Sequence, residues 1–188
     1  MTTILLMIIA AFLDASSVPD GLRATAPTYL TPDAAREHAI AAFEAAWRYD
    51  VDPYIVLSIA HHESRYQHRV RFREAVGGHS CGVMTPEPLT DQKLCDEAMS
   101  SIAAGYFAGA RHLRTWLDHP RCQGDLYCAL SGYAGGTLFM DRCRDTPSQY
   151  PTECAIPGVF LYRAQLIRRA SKAIQGVQRG YHRQDPRS

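Results

Sequence analysis

All six cysteines of the chain, Cys81, Cys95, Cys122, Cys128, Cys143 and Cys154, lie in one central stretch. No other feature constrains the fold as much. An even count in a chain of 188 residues reads as a disulfide framework if the compartment is oxidising. The simplest pairing joins sequential neighbours, giving Cys81–Cys95, Cys122–Cys128 and Cys143–Cys154. Zinc ligation is the rival reading. Zinc sites usually show tight C-x-x-C pairs, and the sequence has none.

Hydrophobic residues make up 46% of the chain, enough for one domain with a real core. The 20 basic and 19 acidic residues leave a formal charge of +1, which gives no argument for a nucleic-acid partner. Positive charge gathers only late, from Arg163 through Arg168, Arg169, Lys172, Arg179 and Arg183 to Arg187. It reads as a solvated helix face with a basic tail, or as a weak attraction to an anionic surface. The apolar run Ile4–Leu13 is too short to span a bilayer but suits the hydrophobic region of a signal peptide. Ala15, Ser16 and Ser17 offer small residues for cleavage, although no Lys or Arg precedes the run. A retained anchor or a buried helix are the alternatives. The organisation expected is therefore a leader or anchor at 1–17, a linker at 18–30, a domain at 31–175 and a basic tail at 176–188.

Helix signals dominate the domain. Thr31-Pro32 and Asp52-Pro53 each place a capping oxygen before a proline at the first helical position. Ile40, Phe43 and Trp47 follow the first signal at helical spacing. Val56, Ile59, Ala60 and Glu63 share one face after the second. A long helix from Ser101 carries Ile102, Tyr106, Gly109, Leu113 and Trp116. Asp125 caps another with Leu126, Ala129, Leu130 and Tyr133 inward. A last helix follows Pro157 with Val159, Tyr162, Leu166 and Ala170 inward. No segment alternates strictly enough to read as a strand. The class expected is mainly α, with long cysteine-bearing loops at 65–99 and 136–156.

Glu63 stands out physically. It continues an apolar stripe, and so points inward, and it falls near the end of its helix. Burial and the negative end of the helix dipole both disfavour a carboxylate, so a raised pKa is expected, as a general acid requires. A structural glutamate paired with His61, His62 or Arg65 is the plainer alternative. His62-Glu63 matches the start of an H-E-x-x-H zinc motif, but Tyr66 occupies the second histidine's position.

Three motifs give Glu63 a context. Glu63-Ser64 is followed by Gly82-Val83-Met84-Thr85, and then by Gly132-Tyr133-Ala134-Gly135, with Ser101–Tyr106 between them. In order and spacing these resemble the soluble lytic transglycosylase family over roughly residues 35–170. That family has a Glu-Ser helix end, a Gly-Leu-Met-Gln-like loop and an Ala-Tyr-Asn-Ala-Gly-like helix end. Goose-type lysozymes share the Glu-Ser helix end. Two amides of the pattern are replaced here, by Thr85 and Ala134.

The resemblance implies a lysozyme-like helical domain acting on the glycan strands of peptidoglycan. Glu63 is the implied acid, protonating the oxygen between N-acetylmuramic acid and N-acetylglucosamine. The substrate's own N-acetyl group assists, one of the exceptions to the two-carboxylate rule. Ionised Glu63 then takes the proton of the muramoyl C6 hydroxyl, which closes a 1,6-anhydro ring. No metal or cofactor is called for. Ser64, Ser80, Gly82, Val83, Met84 and Tyr133 are the implied substrate-binding residues. Met84 reads equally as a core gap-filler, and Tyr133 as a plain core aromatic. An exported protein of the periplasm or cell envelope follows, in a secretion, conjugation or phage setting. A hydrolytic lysozyme is the nearest rival, with Glu74, Glu87, Asp91 and Asp96 as candidate bases. A wall-binding component with a decayed site is a third reading, slightly favoured by Thr85 and Ala134.

Overall fold

The computed structural model of the protein describes residues 18–24, 30–73, 79–86 and 92–183. The apolar run Ile4–Leu13 and its reading as a leader or anchor lie outside these residues, as do Glu74, Glu87 and Asp91. The fold is mainly helical, with helices α1 (Pro32–Tyr49), α2 (Pro53–Ser64), α3 (Gln92–Ala98), α4 (Ile102–Leu117), α5 (Leu126–Asp145), α6 (Pro151–Cys154) and α7 (Ile156–Arg183). Strands β1 (Arg71–Arg73) and β2 (His79–Cys81) pair antiparallel, with Phe72 opposite Ser80. Among the described residues no helix is long and apolar enough to cross a membrane.

The caps explain where the helices begin. Asp52 accepts a hydrogen bond from the Tyr54 amide at 2.8 Å ahead of Pro53. Ser101 accepts from Ala104 at 3.0 Å, and Asp125 accepts from Cys128 at 2.7 Å. Each satisfies an amide that the helix itself leaves without a partner. Within α5 the chain kinks at Gly135 and Gly136, the latter at φ 68°, a conformation that glycine adopts without steric cost.

The chain divides into two compact units, one spanning Ala41–Ala164 and the other formed by Met1–Ile40 with Gln165–Ser188. In the smaller unit residues 18–24 are helical, and Val18 and Leu22 are fully buried. A helix therefore replaces part of the linker expected at 18–30. Helix α7 also continues to Arg183, through part of the tail expected at 176–188. In the larger unit α4 packs along α5, α3 covers α4 and β2, and α2 meets α4. The core there draws on Leu57, Ile59, Met84, Tyr106, Leu113, Leu130 and Phe160.

Two helix faces differ from expectation. Ile40 and Trp47 of α1 are 50% and 84% exposed, while the buried stripe is Ala35, His38, Ala39, Ala42, Ala45 and Ala46. In α7 Tyr162 is 63% exposed and Val159 is also exposed, whereas Phe160, Ala164, Ile167 and Ser171 are buried. The inward face is displaced by about one residue. The expected loops also hold more structure than their composition suggests. Segment 65–99 carries the hairpin and α3, and 136–156 is largely helical.

Three disulfides join Cys81 to Cys95, Cys122 to Cys128 and Cys143 to Cys154, with Cα–Cα separations of 5.4, 5.3 and 5.3 Å. All six cysteines are paired. Such bonds persist in oxidising compartments. The first bridge, between residues 14 apart in sequence, ties β2 to α3. Closing a loop of that length removes unfolded-state entropy, so replacing Cys81 and Cys95 together by alanine should cost about 3 kcal/mol. Denaturant unfolding of the unreduced protein measures this; an unchanged midpoint would show that the bridge contributes nothing.

Candidate active site

Helix α2 delivers Glu63 one residue before its end. The chain leaves the helix through two left-handed residues, Arg65 (φ 53°) and Tyr66 (φ 67°). Their amides return to the carbonyls of His61 and Ala60 at 3.1 and 3.3 Å. Tyr66 is buried edge-on against His61, ring centroids 5.4 Å apart. This turn fixes the last helical residues and leaves Glu63 partly buried.

The loop after β2 closes over this helix end. Gly82 stands at φ 80°, and a Cβ there would come within 2.7 Å of the Ala98 carbonyl oxygen, so only glycine fits. Three successive residues are then anchored. The Ser64 hydroxyl donates to the Val83 carbonyl at 2.6 Å, with the Ala60 carbonyl also 3.0 Å away. The Tyr133 hydroxyl donates to the Met84 carbonyl at 2.6 Å. The Thr85 hydroxyl donates to Glu63 Oε2 at 2.7 Å.

The structure thus brings Glu63, Ser64, Val83, Met84 and Tyr133 together from segments far apart in sequence. Ser64, Ser80, Val83, Met84 and Tyr133 are all buried. The Ser64 and Tyr133 side chains fasten the loop to the helices through the Val83 and Met84 carbonyls. Met84 is fully buried, in the space that a Cβ at Gly109 of α4 would fill, so packing accounts for it. Ser80 sits in β2 opposite Phe72, at the start of the loop. Burial first, and then the nearby charge of Glu63, push the Tyr133 hydroxyl well above its ordinary pKa, so it stays a donor.

Thr85, in the sequence only the replacement of an amide, donates a side-chain hydrogen bond to Glu63. No local signal in the sequence marks it, since it lies 22 residues from Glu63. Of the carboxylates expected as alternative bases, Asp96 is among the described residues, exposed and paired with Arg71 at 2.7 Å.

Two histidines complete the surroundings. The His61 ring nitrogens are buried, and among the described residues neither has a hydrogen-bond partner. Its pKa falls to about 4, through burial first and then the charges of Arg163, His62 and Arg65. His112 of α4 accepts from the Trp116 indole at 3.1 Å and meets the Tyr133 ring edge-on at 5.1 Å. Burial, followed by Arg111, lowers its pKa to about 4. A cleft of about 290 Å³ runs beside these groups, lined by Tyr49, Pro86, Leu94, Phe107, Arg111 and His112 among others. Glu63 is not in its lining, but Pro86 directly follows Thr85.

The arrangement holds one partly buried carboxyl at a helix C-terminus, with one oxygen fixed by a hydroxyl donor. It can give and take a proton. Comparison with protein-family models, characterised proteins and solved structures gives no match to this chain.

The histidines make stability depend on pH. Their folded pKa values of about 4 lie below the ordinary 6.5. Between those values the unfolded chain binds protons that the folded chain does not, so stability falls as pH drops from about 6.5 towards 4. The thermal midpoint should decline over that window, and His112→Gln should flatten the decline. An equal slope in the variant would remove His112 as a cause.

Proposed function

We propose that the protein is a peptidoglycan lytic transglycosylase with a lysozyme-like fold, and that Glu63 is its general acid and then its general base. The observation that carries this reading is the placement of Glu63. It sits partly buried at the end of α2, its Oε2 held by Thr85, beneath a loop that Ser64 and Tyr133 fasten. The same three motifs that resemble the family in sequence supply these contacts.

In the proposed reaction Glu63 protonates the bridging oxygen of the β-1,4 bond between N-acetylmuramic acid and N-acetylglucosamine. The C1–O bond breaks and the N-acetylglucosamine fragment leaves with its new hydroxyl. The muramoyl N-acetyl oxygen stabilises positive charge at C1. Glu63, now ionised, removes the proton of the C6 hydroxyl, and O6 bonds to C1. The carboxyl ends as it began, and no water is consumed. One carboxyl serves both proton transfers because they occur in succession.

Three disulfides fit an exported protein working at the cell envelope. The cleft beside Pro86, with Phe107 and Tyr49 on its wall and Arg111 at its edge, offers apolar surface and a cation for an extended anionic polymer. Secretion, conjugation and phage assemblies are settings that this activity would serve.

Digestion of purified peptidoglycan followed by mass spectrometry of the soluble products tests the proposal. Wild type should release muropeptides with 1,6-anhydromuramoyl ends, and Glu63→Gln should lower release by about a thousandfold or more with its fold intact. Reducing ends would mark a hydrolase. Binding without release would mark a wall-binding component. Full activity in Glu63→Gln would sink the assignment of the acid.

A further inference from the structure

Thr85 occupies a backbone conformation that its side chain makes costly. Its φ is 38°, in the left-handed region where a β-branched residue crowds its own backbone. The turn itself asks only for a residue whose amide reaches the Gly82 carbonyl, at 3.3 Å. Glycine would meet that demand without strain. What threonine adds at this point is a hydroxyl, and the hydroxyl is buried against Glu63 Oε2 at 2.7 Å. Strain kept at a residue that touches a candidate catalytic group is the pattern expected where position matters for chemistry.

We infer that Thr85 is a positioning residue for Glu63: its hydroxyl holds Oε2 as an acceptor, fixes the rotation of the carboxyl, and so determines which oxygen carries the transferable proton. This rests on the reading of Glu63 as the acid and base. A hydroxyl that donates to Oε2 serves the carboxyl in both of its states. When Glu63 is ionised, the bond stabilises the charge. When Glu63 is protonated, Oε2 still accepts from Thr85, and the proton resides on Oε1. Both proton transfers then use the same oxygen in the same orientation.

Thr85 can hold that orientation because the chain leading into it is fixed. Its neighbours Val83 and Met84 are anchored through their carbonyls to Ser64 and Tyr133. Cys81, which opens the loop, is bridged to Cys95 and fully buried. The amide expected at this position from the family pattern is therefore replaced by a group with a different task. Among the described residues, Tyr133 from α5 feels the charge of Glu63, and the side chains of His62, Arg65 and Arg163 act on the nearby His61.

Three substitutions separate positioning from packing. Thr85→Val keeps shape and strain but removes the hydroxyl. Thr85→Ser keeps the hydroxyl. Thr85→Gly removes the hydroxyl and the strain together. Muropeptide release from purified peptidoglycan, thermal midpoints and the pH titration of the Glu63 side-chain carboxyl carbon by NMR are measured for each. Thr85→Val should lower kcat about tenfold or more with KM little changed, since a displaced carboxyl weakens the transition state more than binding. Thr85→Ser should recover most of that loss. Thr85→Gly should be as inactive as Thr85→Val yet melt no lower. The Glu63 carboxyl should titrate at higher pH, by about half a unit or more, in Val and Gly than in wild type and Ser, because a donor to the ionised form is gone.

If Val retains wild-type kcat, or if activity in the series follows thermal midpoint alone, the positioning role is overturned. If wild type releases nothing, the transglycosylase reading fails, and the titration alone decides the contact. A carboxyl that titrates identically in all four proteins then overturns it as well.

Discussion

The site depends on how the Gly82–Pro86 loop docks onto the end of α2. Two hydroxyl-to-carbonyl bonds make that contact, from Ser64 to Val83 and from Tyr133 to Met84. Both acceptors and both donors are buried. A buried carbonyl that loses its donor costs about 1–3 kcal/mol, so each bond is hard to leave half made. The docking brings three pieces of chain, α2, the loop and α5, to one place around Glu63. The small residues of α4 complete it, since Met84 fills the space left open by Gly109 and Val83 the space beside Gly105.

Much of this frame is legible in the sequence because it is set locally. Asp52, Ser101 and Asp125 announce their helices through short-range capping bonds. The stripe of α4 is read correctly at Ile102, Tyr106, Gly109, Leu113 and Trp116, all of them buried. Pairing of neighbouring cysteines also agrees, in keeping with bridges that pin adjacent turns. Helix phase fails where large apolar residues face out. In α1 an alanine stripe is buried in place of Ile40 and Trp47. Small residues fill the buried face there, and a reading weighted by side-chain size turns the helix the wrong way. In α7 Tyr162 draws the eye, whereas Phe160, Ala164, Ile167 and Ser171 define the buried face. The β1–β2 hairpin is legible nowhere, since each strand is only three residues long.

The candidate site is half legible for a different reason. Glu63 can be singled out by position on its helix, and the motif spacing places Met84 and Tyr133 near it. The part each residue plays depends on contacts 19, 22 and 49 residues apart in sequence. Those contacts bury the Ser64 and Tyr133 hydroxyls against loop carbonyls and set the Thr85 hydroxyl against Glu63.

The manner of docking also bears on which positions of the loop can vary. Val83 and Met84 engage the helices through main-chain carbonyls, so their hydrogen bonds place no demand on side-chain type. Their side chains fill space beside Gly105 and Gly109, where another apolar residue of similar volume serves as well. Gly82 is constrained by φ and by the Ala98 carbonyl, and tolerates no Cβ. At Thr85 the side chain itself is the contact. A loop built this way keeps its length and its glycine, tolerates apolar exchange at the next two positions, and lets the fourth determine how the carboxyl beneath it is held.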